Sequence, residues 1–489
     1  MSTDSPKSLE VSHACVRGRG GRARGRSPAL GFVSWIALTG GCSDLTGRFQ
    51  ADAALDHADA SPDAAPPQDA VASPDGARCP RRGVVSVARS SQHGVSTPGD
   101  VLTTPAARGG FMDAEGRLIV VGQCQRCGAE AAPVARLAAW RFHADTLELD
   151  DSFGTDGATL DPAPTSRAFS EAFGGLTDRA GRLLVFGHES RVGNNNDALL
   201  VRLSPDGALD ATFASGGRFI LTRGRLSAAR GVVAFAAAAD ARGYTLLVND
   251  GGHWAAESQR AWAARVTEAG ELDETFGVRG VADLSGVVGC FDLAPDGDDY
   301  VLACMSPQYQ PQLLRLDGAG RQRDWPAAAR AVAEQAPRRF EVRALARDDA
   351  GRWVVSGAAS PVYSDASSTA VVVRFTRDGA PDLSFGAGGF SAVLGPRGAF
   401  ADSVGDLVAV TCEGRVAVAG NVASSPTVTF LDGDGRVITD LGALGTVSLP
   451  PLGPVATVHS VLRGGGADDL LLIASNNPPS AFSLHRLEQ

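Results

Sequence analysis

Short apolar runs such as LIVVG, RLLVFG, ALLVRL and VVVRF alternate with short polar segments along most of the chain. Each run is too brief for an average helix and is bounded by Gly, Pro, Asp or Asn, so the pattern predicts strands joined by tight turns. The runs are continuously apolar rather than alternating, which predicts sheets buried on both faces. One polar segment recurs between them, as LDDSFGTDGATL from Leu149, LDATFASGGRFIL from Leu209, LDETFGVRGVADL from Leu272 and PDLSFGAGGFSAVL from Pro381.

The motif phenylalanines Phe153, Phe213, Phe276 and Phe385 are separated by 60, 63 and 109 residues, the last being about two units. The degenerate copy between them falls near GRQRDWPAAARAV, with Trp325 in place of the phenylalanine. Each period holds four strands, A to D, with Gly-containing turns between A and B and between C and D. A period of this length, one four-stranded antiparallel sheet per copy, predicts a β-propeller. The A–B turns at Gly116, Gly181, Gly243, Gly297, Gly351, Gly414 and near Gly466 give seven blades. The last copy ends after strand C, while Arg81–Ala88 reads as a D strand with nothing before it. The expectation is an all-β, seven-bladed propeller whose ring is closed by this N-terminal strand, leaving no open sheet edge.

LDxSFGxxG at a period of about 60 resembles the Delta-60 repeat, a propeller-forming repeat of secreted and surface-attached bacterial proteins. The likeness runs from Gly83 to Leu487 and is weakest in blades four, six and seven. It implies a fold and an export route, and no catalytic residues.

Within the motif, Asp273 is suited to bind local backbone groups, Phe276 to fill the gap between blades, and Gly277 and Gly280 to take positive φ. Strand C carries an arginine in six copies, Arg141, Arg202, Arg265, Arg315, Arg374 and Arg486, with Thr429 breaking the series. Its fixed distance to the motif aspartate predicts rim ion pairs Arg202–Asp210, Arg265–Asp273 and Arg374–Asp382; arginines reaching solvent are the alternative.

Charge and address narrow the function. Five arginines between Arg17 and Arg26 precede the apolar run ALGFVSWIALTGG, of signal-peptide length, which ends at Cys42 in a context resembling a lipobox. Residues 1–42 are read as a signal peptide with lipidation at Cys42, ordinary secretion with nearby cleavage being the alternative. Residues 43–78, rich in Ala, Asp and Pro, are read as a disordered acidic tether, and 79–489 as the propeller. Beyond Cys42 there are 39 basic against 53 acidic residues, which argues against a nucleic-acid partner. The only lysine, Lys7, lies in the signal segment, which excludes Schiff-base chemistry and a Walker phosphate loop.

In an exported protein the cysteines point to disulfides. Cys290 and Cys304 flank the Gly297 turn symmetrically and are expected to pair across strands A and B, and Cys124 with Cys127 is expected to form a small loop bridge; Cys79 and Cys412 have no evident partner but each other. Neither HExxH nor GxSxG occurs, and the Asp432–Asp434 run reads as a plain turn rather than a calcium loop. On strand A, Glu171, Glu341, Arg343, Asp402, Asp406 and His459 are channel candidates, with isolated solvated charges as the simpler reading. The B–C and D–A loops share one face, and that face is the expected recognition surface: His188, Asn195, His253, Trp254, Tyr309, Tyr363, Arg223, Arg225, Arg338 and Arg339, aromatics and arginines being enriched at binding surfaces. The sequence therefore predicts a non-catalytic, monomeric, membrane-tethered binding propeller without cofactor, its ligand a protein or an envelope glycan. A propeller hydrolase or dehydrogenase using the central channel, or a passive structural protein, are the alternatives.

Overall fold

The computed structural model describes residues 86–94, 105–125, 135–161, 169–191, 195–226, 231–250, 260–323, 325, 339–360, 369–393, 404–411, 414–422, 425–443, 445–450, 456–463, 469–476 and 481–488. A closing strand β1 (Ser86–Gly94) comes first. Blade 1 follows as β2 (Pro105–Met112), β3 (Leu118–Cys124), β4 (Arg136–Phe142) and β5 (Ala158–Leu160). Blade 2 is β6 (Phe169–Thr177), β7 (Leu183–Arg191), β8 (Asn195–Leu203) and β9 (Arg218–Leu221), and blade 3 is β10 (Val232–Asp240), β11 (Gly243–Asp250), β12 (Ala261–Val266) and β13 (Val281–Leu284). Blade 4 comprises β14 (Gly289–Asp296), β15 (Asp299–Met305), β16 (Pro311–Leu316) and β17 (Gln322–Arg323). Blade 5 comprises β18 (Arg339–Arg347), β19 (Trp353–Ser360), β20 (Thr369–Phe375) and β21 (Phe390–Val393). The ring ends with blade 6, β22 (Val404–Val410), β23 (Val416–Val422), β24 (Ser425–Leu431) and β25 (Thr446–Ser448), and blade 7, β26 (Ala456–Arg463), β27 (Leu470–Asn476) and β28 (Ala481–Glu488).

All seven sheets have four strands, and the seventh has the order β26-β27-β28-β1, so the strand nearest the N terminus completes the last blade. The expected closing strand is thus present, shifted from Arg81–Ala88 to Ser86–Gly94, with Val87 opposite Leu487 and Gly94 opposite Ala481. Strand A of each blade touches strand A of the blades on either side, and the circle closes between β26 and β2. The core follows from the uninterrupted apolar runs: β11 is buried at every position, and Leu184, Leu200, Val248 and Trp262 of blades 2 and 3 pack in one cluster between the sheets.

The recurrent motif is the blade joint. Phe153, Phe213, Phe276 and Phe385 are each fully buried. In blade 1 the next residue, Gly154, donates its N–H to the Asp206 carbonyl of the following blade (2.7 Å), and Ala214, Gly277 and Gly386 repeat this bond to Ala269, Ala319 and Asp434. Gly207 sits at φ 90° on top of Phe153, where any side chain would begin 2.8 Å from the ring; Gly379 lies on Trp325 in the same way, placing that tryptophan in the phenylalanine's role. Gly277 and Gly280 take the positive φ expected, 57° and 86°, and Asp273 accepts the Thr275 N–H at 3.0 Å.

The rim arginines are buried structural residues. Arg202 Nε meets Asp210 at 2.8 Å and Arg374 Nε meets Asp382 at 2.7 Å, as the spacing predicts, and Arg141 with Asp150 (2.7 Å) adds a third pair. Each guanidinium also lies over its motif ring, 4.4 to 4.8 Å from the centroid, and donates to a carbonyl of the next blade. Burial alone would raise the Asp150 carboxyl, but hydrogen bonds from Ser152 and Arg141 hold it down at about 2. The expected Arg265–Asp273 pair is not formed. Arg265 makes the same kind of cross-blade bonds as Arg202, to the Tyr300 hydroxyl (3.0 Å) and the Gly318 carbonyl (2.6 Å), but its Nε turns to the Thr245 hydroxyl of β11 (3.4 Å), and Asp273 stays with its own turn.

Candidate functional site

On the rim, Arg141, Arg202 and Arg374 are engaged in holding blades together, and a cavity of about 550 Å³ lies between Arg242, Arg265 and Asp273 of blade 3 and Asp298, Asp299 and Asp317 of blade 4. The opposite face and the channel are different. In each blade strand A carries a bulge, with register steps between Ala107 and Gly109, Ala172 and Gly174, Ala234 and Ala236, Cys290 and Asp292, Val342 and Ala344, Val404 and Leu407, and Val458 and Ser460. A bulge leaves one residue unpaired and turns its side chain out of the pleat. In six blades that residue is Arg108, Phe173, Phe235, Phe291, Arg343 or His459, each half-buried, and all but Phe291 lie between buried neighbours. Because strand A is the innermost strand, these side chains form one layer around the axis.

The layer has two unlike arcs. Phe173, Phe235 and Phe291 come from consecutive blades, with centroids 5.9 Å apart at each step, the first pair stacked at 17°. His188 extends this arc, stacked on Phe173 at 5.5 Å and edge-on to Phe169. The other arc is polar. Arg108 donates through Nε to Glu171 of the next blade at 2.5 Å, Arg343 pairs with Glu341 at 3.1 Å, and His459 Nε2 bonds the Ser475 hydroxyl at 2.6 Å. Burial, with the charge of Arg108 adding to it, pushes His459 down to about 3 and His188 to about 4, so both imidazoles are neutral at pH 7. Burial also raises Asp292 to about 6, against hydrogen bonds from the Leu345 and Leu293 amides.

Beside the channel, blade 2 carries a buried ion network. Arg218 bridges Asp161 (2.8 Å) and Glu189 (2.6 Å), Ser170 donates to Asp161 at 3.0 Å, and the Arg223 amide bonds Asp197 at 2.8 Å. The Asp161 carboxyl is raised by burial in spite of Arg218.

Of the predicted face residues, some lie in strands and others in the B–C and D–A loops. His188 is not on a loop: it sits within β7, 5% exposed and opposite Glu171, because β7 runs four residues further than its apolar segment suggests. Asn195 begins β8 rather than lying in the loop before it. Arg223 and Arg225 form a 3-10 turn in the D–A loop between β9 and β10, and the exposed Arg225 reaches Glu274 (3.3 Å) and the Arg279 carbonyl of the next blade. Tyr309 closes the β15–β16 turn at φ 58°, is half-buried, and packs against the blade 5 core. Arg339 opens β18. His253, Trp254, Tyr363 and Arg338 lie outside the described residues, as do Cys42, Cys79, Cys127, Asp402 and Cys412. Cys290 and Cys304 are opposite each other and joined by a disulfide, and Cys124 is disulfide-bonded. Asp432 caps a plain turn, accepting the Asp434 and Arg436 amides. No group of three or more His, Cys, Asp or Glu able to hold a metal occurs among the described residues.

Arg108, Phe173, Phe235 and Phe291 escaped the sequence reading. A signal exists: Arg108, Phe173, Phe235, Arg343 and Asp406 each stand eight residues before the A–B turn glycine of their blade, Gly116, Gly181, Gly243, Gly351 and Gly414.

A family model described as a domain of unknown function (DUF5122) beta-propeller matches residues 181–213 and 351–385, the β7-to-motif and β19-to-motif segments of blades 2 and 5. No curated protein matches the sequence. Among solved structures, a puromycin hydrolase is 15% identical with a TM-score of 0.40, covering 81% of this chain, which spans 59% of the hydrolase. A polysaccharide lyase of family PL25, an ulvan lyase, is 11% identical at 0.43, covering 81% of this chain and 94% of that one. TolB from Acinetobacter baumannii is 12% identical at 0.31, covering 76% and 80%. Likenesses this distant carry no argument, and the sequence comparison shows that these two segments of blades 2 and 5 match the DUF5122 beta-propeller model.

Proposed function

We propose that this chain is a non-catalytic binding propeller working outside the cytoplasm, held at a membrane by lipid on Cys42, and that it takes a protein segment or an envelope glycan at the channel mouth. The observation that carries this reading is the two-arc channel layer, Phe173, Phe235 and Phe291 against Arg108, Arg343 and His459. Three aromatic faces supply flat apolar contact, and arginines with polar neighbours supply orientation, which is the composition of a ligand site. The resemblance to Delta-60 repeats, the signal-like N terminus and the Cys290–Cys304 disulfide support an oxidising, extracytoplasmic address.

The test is affinity capture with the protein purified from the periplasm without chelator, applied to envelope extracts, alongside elemental and absorbance analysis of the purified sample. Retention of a defined envelope component by a metal-free, colourless protein is the expected result. A stoichiometric metal or chromophore, together with turnover of an envelope substrate, would replace the binding reading with the channel-enzyme reading.

A further inference from the structure

Arg108 differs from the rim arginines in what its guanidinium leaves free. Its Nε is held by Glu171 at 2.5 Å, while neither terminal amino group has an acceptor among the described residues, and the side chain is 33% exposed. A guanidinium fixed at Nε leaves its two terminal amino groups, which present one N–H each side by side, the geometry that takes a carboxylate through two parallel bonds. His188 is an independent sign of a missing partner: it is 5% exposed and its buried Nδ1 has no hydrogen-bond partner. Buried polar nitrogens are rarely left so unless something binds them. His188 lies opposite Glu171 in the β6–β7 ladder, and Glu171 is the residue that holds Arg108, so the imidazole and the guanidinium share one neighbour. Glu171 balances the charge of Arg108, so what the site offers an anion is directed hydrogen bonding rather than a broad positive field. Phe173 stacks on His188 and continues into Phe235, a flat apolar surface beside the donors.

We infer that Arg108 and His188 bind a carboxylate, and that Phe173 takes the face of the ring carrying it, so that the ligand is an acidic sugar unit of an envelope polysaccharide. A uronate joins the two halves: its carboxylate meets the arginine fork and its C–H face lies on the phenyl ring. This rests on the binding reading and narrows it to one chemistry at one place.

The experiment is calorimetric titration of the full, exported chain at pH 7 and low salt with oligomers of galacturonic and glucuronic acid and with their neutral galactose and glucose counterparts. Acidic oligomers are expected to bind at least ten-fold tighter than neutral ones. Arg108→Gln, checked for folding by circular dichroism, is expected to weaken acidic binding about 10- to 100-fold and leave neutral binding unchanged. Phe173→Leu is expected to weaken both. Equal affinity for acidic and neutral oligomers, no binding of any acidic oligomer, or unchanged affinity in folded Arg108→Gln would each overturn the site. If Arg108→Gln does not fold, the acidic-to-neutral comparison on the natural chain still decides. A peptide ending in phenylalanine that binds where no uronate does would overturn the sugar and favour a protein segment. Retention of an envelope component by a chain that ignores uronates would sink this site while leaving the binding reading standing.

Discussion

Removing the Arg374–Asp382 pair and the Arg265–Asp273 neighbours in parallel should give opposite kinds of energetics, although the four residues occupy equivalent places in the repeat. Arg374 is 2% exposed, with Nε 2.7 Å from Asp382 and its guanidinium 4.4 Å from the Phe385 centroid. Breaking a buried pair from one side costs about 3–5 kcal/mol. Asp382 keeps the Ser384 hydroxyl at 2.6 Å and Arg352 at 3.7 Å, which places Arg374→Ala near the lower end, about 3 kcal/mol. Asp382→Ala strands a buried guanidinium and should cost a similar amount. Part of each loss is the same interaction, so the double variant should fall short of the sum by about 2 kcal/mol. Arg265 instead turns its Nε to Thr245, and Asp273 is bonded to its own turn. Arg265→Ala and Asp273→Ala should therefore add within about 0.5 kcal/mol. Urea unfolding of the natural chain and six variants, read by far-ultraviolet circular dichroism with the slope checked for constancy, measures both cycles. Equal coupling in the two blades, or less than about 0.5 kcal/mol at Arg374–Asp382, would refute the assignment of the rim arginines to distinct partners.

Acidification should destabilise the fold before most carboxylates titrate. His188 and His485 fall from 6.5 to about 4 and His459 to about 3, so the unfolded chain binds more protons below pH 6.5 and stability is lost as pH falls through that window. Asp292, raised from 3.8 to about 6, acts in the opposite sense, its contribution being full below 3.8 and lost as pH rises through 6, and Asp161, also raised by burial, acts with it, but these are two groups against three. Urea midpoints at pH 7 and pH 5 should differ, and His188→Phe should shrink the difference; identical midpoints would contradict the buried neutral histidines. Phe276→Ala, at a fully buried joint, should cost about 3–5 kcal/mol in the same assay, and a loss below about 1 kcal/mol would remove the motif phenylalanine from the blade joint. Cys290→Ser with Cys304→Ser, whose bridge closes a separation of 14 residues, should lower stability by about 2–3 kcal/mol, seen as a lower urea midpoint without reductant, and an unchanged midpoint would remove the bridge from the stability of blade 4.

The architecture was readable because it is written redundantly. Phe153, Phe213, Phe276 and Phe385 meet the same demand at each joint, so the same residue returns at the same spacing, and Trp325 could be recognised as its substitute. Cys290 and Cys304 were likewise placed by a turn whose length fixes the register. The channel layer obeys the opposite logic. Its position is repeated by the bulge but its contents are not, and Arg108, Phe235 and His459 share no chemistry that a repeat search would align. The Arg265–Asp273 expectation failed because Arg265 Nε turns to the Thr245 hydroxyl on the adjacent strand, a partner that the spacing of arginine and motif aspartate does not reveal. His188 was misplaced because a strand that continues through polar residues, as β7 does through His188, Glu189 and Ser190, looks like the start of a loop.

The mixed origin of blade 7 sets the order in which the molecule can be finished. β1 and β28 are the first and last described strands, so the seventh sheet cannot be completed until nearly the whole chain is present. Loop closure grows slowly with length, and a join across the whole body costs only about 1.7 kcal/mol more than one within a single repeat, so the delay is kinetic rather than thermodynamic. Until that join is made, β28 offers an unpaired ladder, and the complementary strand of a second molecule fits it as well as its own. Refolding at high concentration should therefore yield strand-exchanged dimers alongside monomers, whereas slow dilution should return closed single rings.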